Sequence, residues 1–224
     1  MKKDRKVNQI STVIFDMDGV LVNSEPVHQR LEKEMYEELG LDLSYEEQQS
    51  FVGRSAMDSW MFVIDKYKLK DKPQDLLLRG RRKYLKVLLE TDEVKLMKGA
   101  RELIDRLEGS YHLLLASSAT SVTIGEVLKK FNLAATFPLF IGGDMVQASK
   151  PEPEIFLRIA DQAGVMPQEC VVIEDAAHGI TAAKRAGMKT IGFQNHHSGT
   201  QILDHADKVV DDLNQITVAM IRAL

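Results

Sequence analysis

The chain has 224 residues, enough for one large domain or two unequal ones. It is 44% hydrophobic and 28% charged, and its 29 basic and 33 acidic residues leave a net charge of −4, which argues against a nucleic-acid-binding protein and against a disordered one. A single cysteine, Cys170, allows no internal disulfide and fits a reducing compartment. No stretch reaches the ~18 apolar residues of a membrane span, and the first apolar run is too short for a signal peptide. We therefore expect a cytoplasmic protein that binds neither nucleic acid nor membrane.

The predicted strands are short and apolar. The first, Thr12–Phe15, has no polar interruption, which is typical of a strand covered on both faces. The next lies at residues 112–116, and others follow at 139–141, 170–173 and 190–193. Beyond residue 95 strands alternate with helical patterns, which predicts an α/β fold with a doubly wound, Rossmann-like parallel sheet. In such sheets ligands bind beyond the carboxyl ends of the strands.

The first two strands are separated by a long helical region. Capping boxes begin at Ser44 and Ser55, and another helix follows Pro73. Four helices without a strand between them predict an all-helical insertion after the first strand. We place this insertion at residues 25–93 and the α/β core at 9–24 and 94–224. Residues 1–8 are expected to be a disordered arm.

Acidic pairs follow two of the predicted strands. Asp16 and Asp18 come after the first, and Glu174 and Asp175 come after the strand at 170–173. If both ends line one crevice, the carboxylates repel one another and need a cation. Oxygen-only ligands favour a hard ion, so Mg²⁺ fits better than Zn²⁺.

Asp-x-Asp-Gly is a weak signal by itself, since the same residues also suit an ordinary turn. An EF-hand is excluded, because its fifth, sixth and twelfth positions here hold Val20, Leu21 and Val27.

Polar residues follow two further elements. Ser117 and Ser118 end the strand at 112–116 and form a candidate anion site, although an N-cap role for Ser118 or Thr120 is the simpler interpretation. Lys150 precedes a proline-stiffened turn, although a lone lysine is usually a solvated charge. Together with the acidic pairs, these groups supply what phosphoryl transfer through a carboxylate requires. Asp18 suits the acid–base role, and we expect its pKa to rise beside other anions.

These motifs carry a family resemblance. Residues 13–21, Ser117, the segment 150–153 and the pair Glu174-Asp175 resemble, in order and spacing, the haloacid dehalogenase-like phosphotransferase superfamily. The resemblance is strongest to the branch that contains β-phosphoglucomutase and small sugar-phosphate phosphatases. It implies that the helical insertion is a mobile cap, and the dehalogenases of the superfamily lack the aspartate at the position of Asp18. A cap lysine that forms a Schiff base, as in phosphonate-cleaving relatives, has no identifiable counterpart.

The resemblance also implies a role for each matching residue. Asp16 would be the nucleophile and Asp18 the general acid and base, with Ser117 and Lys150 as phosphate ligands. Mg²⁺ would be held by Asp16, the backbone carbonyl of Asp18 and Asp175, with Glu174 assisting directly or through water. The expected substrate-binding residues are Gly19, His28, Gly53, Arg54, Ser117, Ser118 and Lys150.

A hydrolase and a mutase of this branch share an aspartyl-phosphate intermediate. They differ in whether water or a sugar hydroxyl accepts the phosphoryl group. The mutase has a cap arginine that grips a second phosphate, but its place is taken here by Ala56, with Arg54 two residues earlier. We therefore favour a Mg²⁺-dependent phosphatase acting on a small phosphorylated metabolite, a sugar phosphate above all, as a monomer or weak dimer. The alternative is β-phosphoglucomutase. From a different functional class, the alternatives are a receiver-like domain and a protein that binds a phosphorylated ligand without catalysis. The basic run on the last cap helix and the pair His196-His197 are interpreted as solvated surface.

Overall fold

The computed structural model describes residues 9–44, 46–47, 51, 56–196 and 201–224. In chain order, the strands of this part are β1 (Thr12–Phe15), β2 (Val22–Asn23), β3 (Lys95–Leu96), β4 (His112–Ser117), β5 (Phe140–Gly142), β6 (Cys170–Glu174), β7 (Lys189–Phe193) and β8 (Lys208–Val210). Its α-helices are α1 (Glu25–Glu38), α2 (Ala56–Tyr67), α3 (Pro73–Glu90), α4 (Ala100–Leu107), α5 (Ser121–Lys130), α6 (Glu154–Ala163), α7 (Ala177–Arg185) and α8 (Val218–Arg222).

Six strands form one parallel sheet in the order β5-β4-β1-β6-β7-β8. β1 lies in the middle, where Phe15 pairs with Leu115 of β4 and with Ile173 of β6. The carboxyl ends of these three strands therefore meet at one edge of the sheet. The predicted α/β fold is confirmed, and so are the five strands expected from their apolar runs.

Alternate side chains of each central strand enter different cores. Val13 and Phe15 belong to an apolar cluster on the face covered by α4 and α5, whereas Ile14 belongs to a second cluster with α6 and α7. Successive side chains of a strand point to opposite faces, so helices on both faces bury every position. This is the double winding that the uninterrupted apolar runs predict.

The segment α1–α3 has an apolar cluster of its own, which includes Met35, Trp60 and Leu76. Its other side packs on the main core through residues such as Tyr84 and Leu88. A short antiparallel ribbon of β2 and β3, not anticipated from the sequence, joins the two ends of this helical segment to the sheet. Of the described helices, none is long and apolar enough to span a bilayer.

The helix-start signals of this segment can be followed where the structure describes them. The capping box at Ser44 is present: the Ser44 backbone N–H donates to Glu47 at 2.9 Å and the Glu47 N–H donates to Ser44 Oγ at 3.3 Å. Only Glu46 and Glu47 of the helix it begins are described, and both are helical. Ser55, which begins the other box, lies outside the described residues.

Two of the five residues in the basic run on α3 pair with α1. Arg79 and Lys83 donate to Glu38 at 2.6 and 2.8 Å, so these two charges belong to an ion-paired, solvent-facing helix surface, as expected. His196 is exposed at a turn, also as expected, whereas His197 lies outside the described residues.

Candidate active site

Four charged side chains meet at the carboxyl edge of the sheet. Lys150 Nζ lies 2.5 Å from Asp16 Oδ1 and 2.7 Å from Glu174 Oε1. Carboxylate oxygens of Asp16, Glu174 and Asp175 all lie within 4.8 Å of one another, and the three residues are buried. The structure thus brings Asp16 of the first predicted acidic pair, both residues of the second pair and the predicted lysine to one point of the fold.

The central strands position this cluster. Asp16 directly follows β1, and its backbone N–H donates to Ile173 of β6 at 3.0 Å. Glu174 ends β6, and its Oε2 accepts from the Ala176 N–H at 2.8 Å. Lys150 reaches in from the loop before α6, where its ammonium lies 5.1 Å from the centre of the Phe156 ring. The ends of β1 and β6 therefore position Asp16 and Glu174, and the loop before α6 positions Lys150.

The cluster is short of positive charge. Burial raises the pKa of Asp16 well above its usual range, and although Lys150 opposes this, Glu174 and Asp175 raise it further. Burial lowers the pKa of Lys150, but the two carboxylates outweigh it and the net shift is upward. With all groups ionised the cluster has a formal charge of −2, which one divalent cation would neutralise. A buried set of oxygen donors this close together fits Mg²⁺ in ligand type and in spacing.

Asp175 is supported by two residues on neighbouring loops. Gly19 has a φ of +82° and lies so close that an added Cβ would be 2.0 Å from Asp175 Oδ2. The Asn195 side chain donates to the Gly19 carbonyl at 3.2 Å and to Asp175 Oδ2 at 3.3 Å. Gly19 was predicted as a substrate-binding residue, and here its backbone packs against an acidic residue of the cluster. Asn195 was missed, although its place directly beyond a predicted strand was an available signal.

Asp18 lies beside the cluster in a different environment. Its Oδ1 accepts from Ser24 Oγ at 2.6 Å and lies 3.8 Å from His28 Nε2. Burial raises the pKa of Asp18, but His28 and then Ser24 outweigh it, and the net shift is downward. The expectation that neighbouring anions raise this pKa is therefore wrong, because the groups nearest to the carboxylate are a hydroxyl donor and an imidazole.

Ser117 is buried at the end of β4, where its Oγ accepts from the Ala119 N–H at 3.0 Å. The N-cap of α5 is Thr120, whose hydroxyl accepts from the Thr123 N–H at 3.3 Å. The N-cap interpretation therefore applies to Thr120 and not to Ser118, which lies in the wall of the adjoining cavity.

A cavity of about 220 Å³ lies between the sheet edge and the helical segment. Asp18, His28, Ser118 and Ala56 are among the residues that line it. The other residues of the wall are Leu31, Glu32, Met35, Trp60, Leu77, Gly80, Arg81, Tyr84, Ala119, Thr120 and Thr123. Gly53 and Arg54, the remaining predicted binding residues, lie outside the described residues.

Known proteins resemble the chain over nearly its whole length. The family model described as "Haloacid dehalogenase-like hydrolase" matches residues 13–193. Hexitol phosphatase B of Escherichia coli (strain K12) is 30% identical over 189 residues, covering 82% of this chain and 83% of that protein. Beta-phosphoglucomutase of Bacillus subtilis (strain 168) is 26% identical over 218 residues, covering 95% and 94%. The crystal structure of CbbY from Rhodobacter sphaeroides in complex with phosphate superposes with a TM-score of 0.82 at 22% identity, covering 96% of this chain and 100% of that one.

Some relatives are much longer. Protein SUPPRESSOR OF QUENCHING 1, chloroplastic, of Arabidopsis thaliana is 30% identical over 214 residues, and the match spans 94% of this chain but 20% of that protein. The family match, in contrast, runs from Val13 in β1 to the end of β7 and includes Asp16, Ser117, Lys150 and Glu174. The chain belongs to the haloacid dehalogenase-like hydrolase family and is an enzyme of its phosphatase and phosphoglucomutase branch.

Proposed function

We propose that the protein is a Mg²⁺-dependent phosphatase that hydrolyses a small sugar phosphate through an aspartyl-phosphate at Asp16. The observation that carries this proposal is the position of Lys150, whose ammonium contacts both Asp16 and Glu174. A carboxylate oxygen of Asp175 lies within 4.8 Å of those of Asp16 and Glu174. A nucleophilic carboxylate, a fixed cation and further acidic ligands thus converge where a phosphoryl group would be held.

The acidic cluster would hold the metal. Asp16 and Asp175, with the backbone carbonyl of Asp18, are the proposed ligands, and Glu174 assists directly or through water. Bound Mg²⁺ would neutralise negative charge on the phosphoryl oxygens as it develops.

In the first half-reaction an Asp16 oxygen attacks the substrate phosphorus. The new bond joins Asp16 to phosphorus, and the bond from phosphorus to the leaving sugar oxygen breaks. Lys150 and the Ser117 hydroxyl hold the remaining phosphoryl oxygens, and protonated Asp18 gives its proton to the leaving oxygen. In the resting structure the Ser24 and His28 contacts lower the pKa of Asp18, so Asp18 must take up a proton when the substrate binds.

In the second half-reaction water is the acceptor. Asp18, now ionised, takes a proton from water while the water oxygen attacks phosphorus. The bond between Asp16 and phosphorus breaks, and inorganic phosphate leaves. The contacts of Asp18 with Ser24 and His28 stabilise the ionised form that this step needs.

The cavity supports a small substrate. Its ~220 Å³ is lined by aromatic residues, among them Trp60 and Tyr84, and by the charged residues Glu32 and Arg81, which suits a compact polyhydroxyl leaving group. Relatives named hexitol phosphatase and phosphorylated carbohydrates phosphatase point to the same class.

The second candidate is a phosphoglucomutase. Arg81 in the cavity wall is the observation that favours it, because a guanidinium can hold a second phosphate. Against it, Ala56 presents only a methyl group to the cavity, and Glu32 would repel a bisphosphate. With β-glucose 1-phosphate and a trace of its 1,6-bisphosphate, a phosphatase releases inorganic phosphate. Formation of glucose 6-phosphate without that release would establish the mutase instead.

The direct test measures phosphate release from a panel of sugar and nucleotide monophosphates, with and without Mg²⁺. Asp16→Asn should lower kcat at least ~10³-fold and abolish the acid-quench-trapped acyl-phosphate. Asp105→Asn, an exposed position on α4, is the matched control and should behave as wild type. Turnover that survives in Asp16→Asn would refute the proposed nucleophile.

A further inference from the structure

Tyr84 on α3 and His28 on α1 form an aromatic stack at the cavity. Their ring centres are 4.3 Å apart and the ring planes differ by 15°. Tyr84 is only 4% exposed, and both residues lie in the cavity wall beside Asp18. The stack therefore connects the helical segment directly to the residue proposed for acid–base catalysis.

The ring of Tyr84 makes the contact with His28. The hydroxyl is buried and, among the described residues, has no partner that meets hydrogen-bond geometry. A buried hydroxyl without a partner is unfavourable, and an aliphatic side chain would avoid that penalty. The contact that the geometry shows for Tyr84 at the cavity is therefore the stack of its ring on His28.

His28 needs such support. Its side chain is 40% exposed, and its Nε2 lies 3.8 Å from Asp18 Oδ1, beyond hydrogen-bond distance. That contact alone restrains the imidazole weakly. A parallel stack at 4.3 Å fixes the plane of the imidazole ring, and therefore the direction in which Nε2 faces.

We propose that Tyr84 is a positioning residue for the acid–base step: its ring holds His28 in the orientation that keeps Nε2 beside Asp18. This inference rests on the function proposed above and adds a residue to which the family resemblance gives no role. Tyr84 acts on Asp18 through His28, so its effect on turnover depends on the presence of His28.

A double-mutant cycle tests this dependence. In the wild-type background Tyr84→Leu should lower kcat about tenfold, the rate equivalent of losing one aromatic stack, with a smaller change in KM. In a His28→Ala background the same substitution should lower kcat less than about twofold. Tyr84→Phe, which restores the ring without the hydroxyl, should recover most of the lost activity. If Tyr84→Leu does not fold, Tyr84→Met takes its place in the cycle.

Leu88→Ala is the packing control. Leu88 lies one turn further along α3, is fully buried in the same apolar cluster and does not line the cavity. It should lower Tm at least as much as Tyr84→Leu while kcat stays close to wild type. NMR of the His28 ring protons gives a readout without catalysis: loss of the Tyr84 ring current should move them to lower field.

The outcomes separate the two proposals. Equal losses of kcat in both backgrounds, a loss in Tyr84→Phe as large as in Tyr84→Leu, or unchanged His28 shifts would each overturn the role of Tyr84 and leave the phosphatase intact. A wild-type protein without turnover on any phosphate ester would overturn the proposed function and this role with it.

Discussion

Gly179, in the first turn of α7, lies so close to Glu174 that a Cβ added to it would be 1.7 Å from Glu174 Oε1. Glu174 has little freedom to move away, because its two carboxylate oxygens are bound by Lys150 and by the Ala176 N–H. The backbone of α7 is thus fitted against an acidic side chain of the active site. This contact makes a glycine necessary at a helical position where alanine would normally be preferred.

Gly179→Ala should therefore destabilise the fold by about 1–3 kcal/mol, as overpacking of a closed site does. It should also lower kcat, because Glu174 must leave Lys150 to make room. Gly125→Ala in α5 is the matched control: a Cβ there meets nothing within 4 Å, so it should stabilise by about 0.5–1 kcal/mol. Urea unfolding of both variants checks the opposite signs, and two equal shifts would contradict this account of Gly179.

Lys150 compensates buried negative charge, and its removal should be costly where no metal replaces it. Lys150→Met leaves three buried carboxylates, so in EDTA we expect a loss of about 3–5 kcal/mol of unfolding free energy. Added Mg²⁺ should recover part of this loss, whereas activity should stay at least ~10²-fold reduced.

Lys184→Met is the control for that substitution. Lys184 also pairs with a carboxylate, Asp207, at 2.8 Å, but its side chain is 39% exposed. Its loss should cost no more than about 1 kcal/mol and should not respond to Mg²⁺. If Lys150→Met is as stable in EDTA as in Mg²⁺, the cluster does not bind the ion.

Much of the sheet and of the catalytic cluster could be predicted from the sequence, because both depend on local patterns. All four residues of the run at Thr12–Phe15 are buried, and Asp16 follows it directly. In contrast, β8 is three residues long and begins with two exposed residues, so it carries no burial pattern. In the ribbon, β2 and β3 have two residues each. Such strands are too short for an alternation of apolar and polar residues to be recognised in the sequence.

The partners of the catalytic residues were harder to anticipate, because they come from distant parts of the chain. Asn195 reaches Asp175 across two strand ends, and Tyr84 reaches His28 across two helices. The shift in the pKa of Asp18 depends on such contacts: sequence neighbours suggested a carboxylate among anions, but folding places Ser24 and His28 beside it. These contacts could not be predicted because they depend on how the side chains are oriented in the fold, and not on residue type alone.

Asn195 should raise the affinity of the acidic cluster for Mg²⁺ without contacting the substrate. Its amide holds the Asp175 carboxylate against Gly19, and loss of such an outer partner typically weakens metal binding 10–100-fold. We expect Asn195→Ala to require correspondingly more Mg²⁺ for half-maximal thermal stabilisation. Gln194→Ala, whose side chain donates instead to the Gln201 carbonyl at 3.5 Å, should keep wild-type Mg²⁺ dependence. Identical Mg²⁺ curves for wild type and Asn195→Ala would exclude the supporting role.

Asp207 should contribute a pH-dependent part of the stability. Burial raises its pKa, but Lys184, at 2.8 Å, and the Thr190 N–H and hydroxyl, at 2.8 and 3.0 Å, outweigh it, so the folded-state pKa lies below its ordinary value of about 3.9. A group with a depressed folded pKa stabilises fully above its unfolded pKa, and that contribution is lost as pH falls through the folded pKa. Asp207→Asn should therefore cost about 1–2 kcal/mol at pH 7 and progressively less below pH ~4. Urea unfolding between pH 7 and pH 3 measures the convergence, with the exposed Asp105→Asn as the control that follows wild type throughout. A constant difference between wild type and Asp207→Asn across this range would show that Asp207 stabilises through packing and not through its charge.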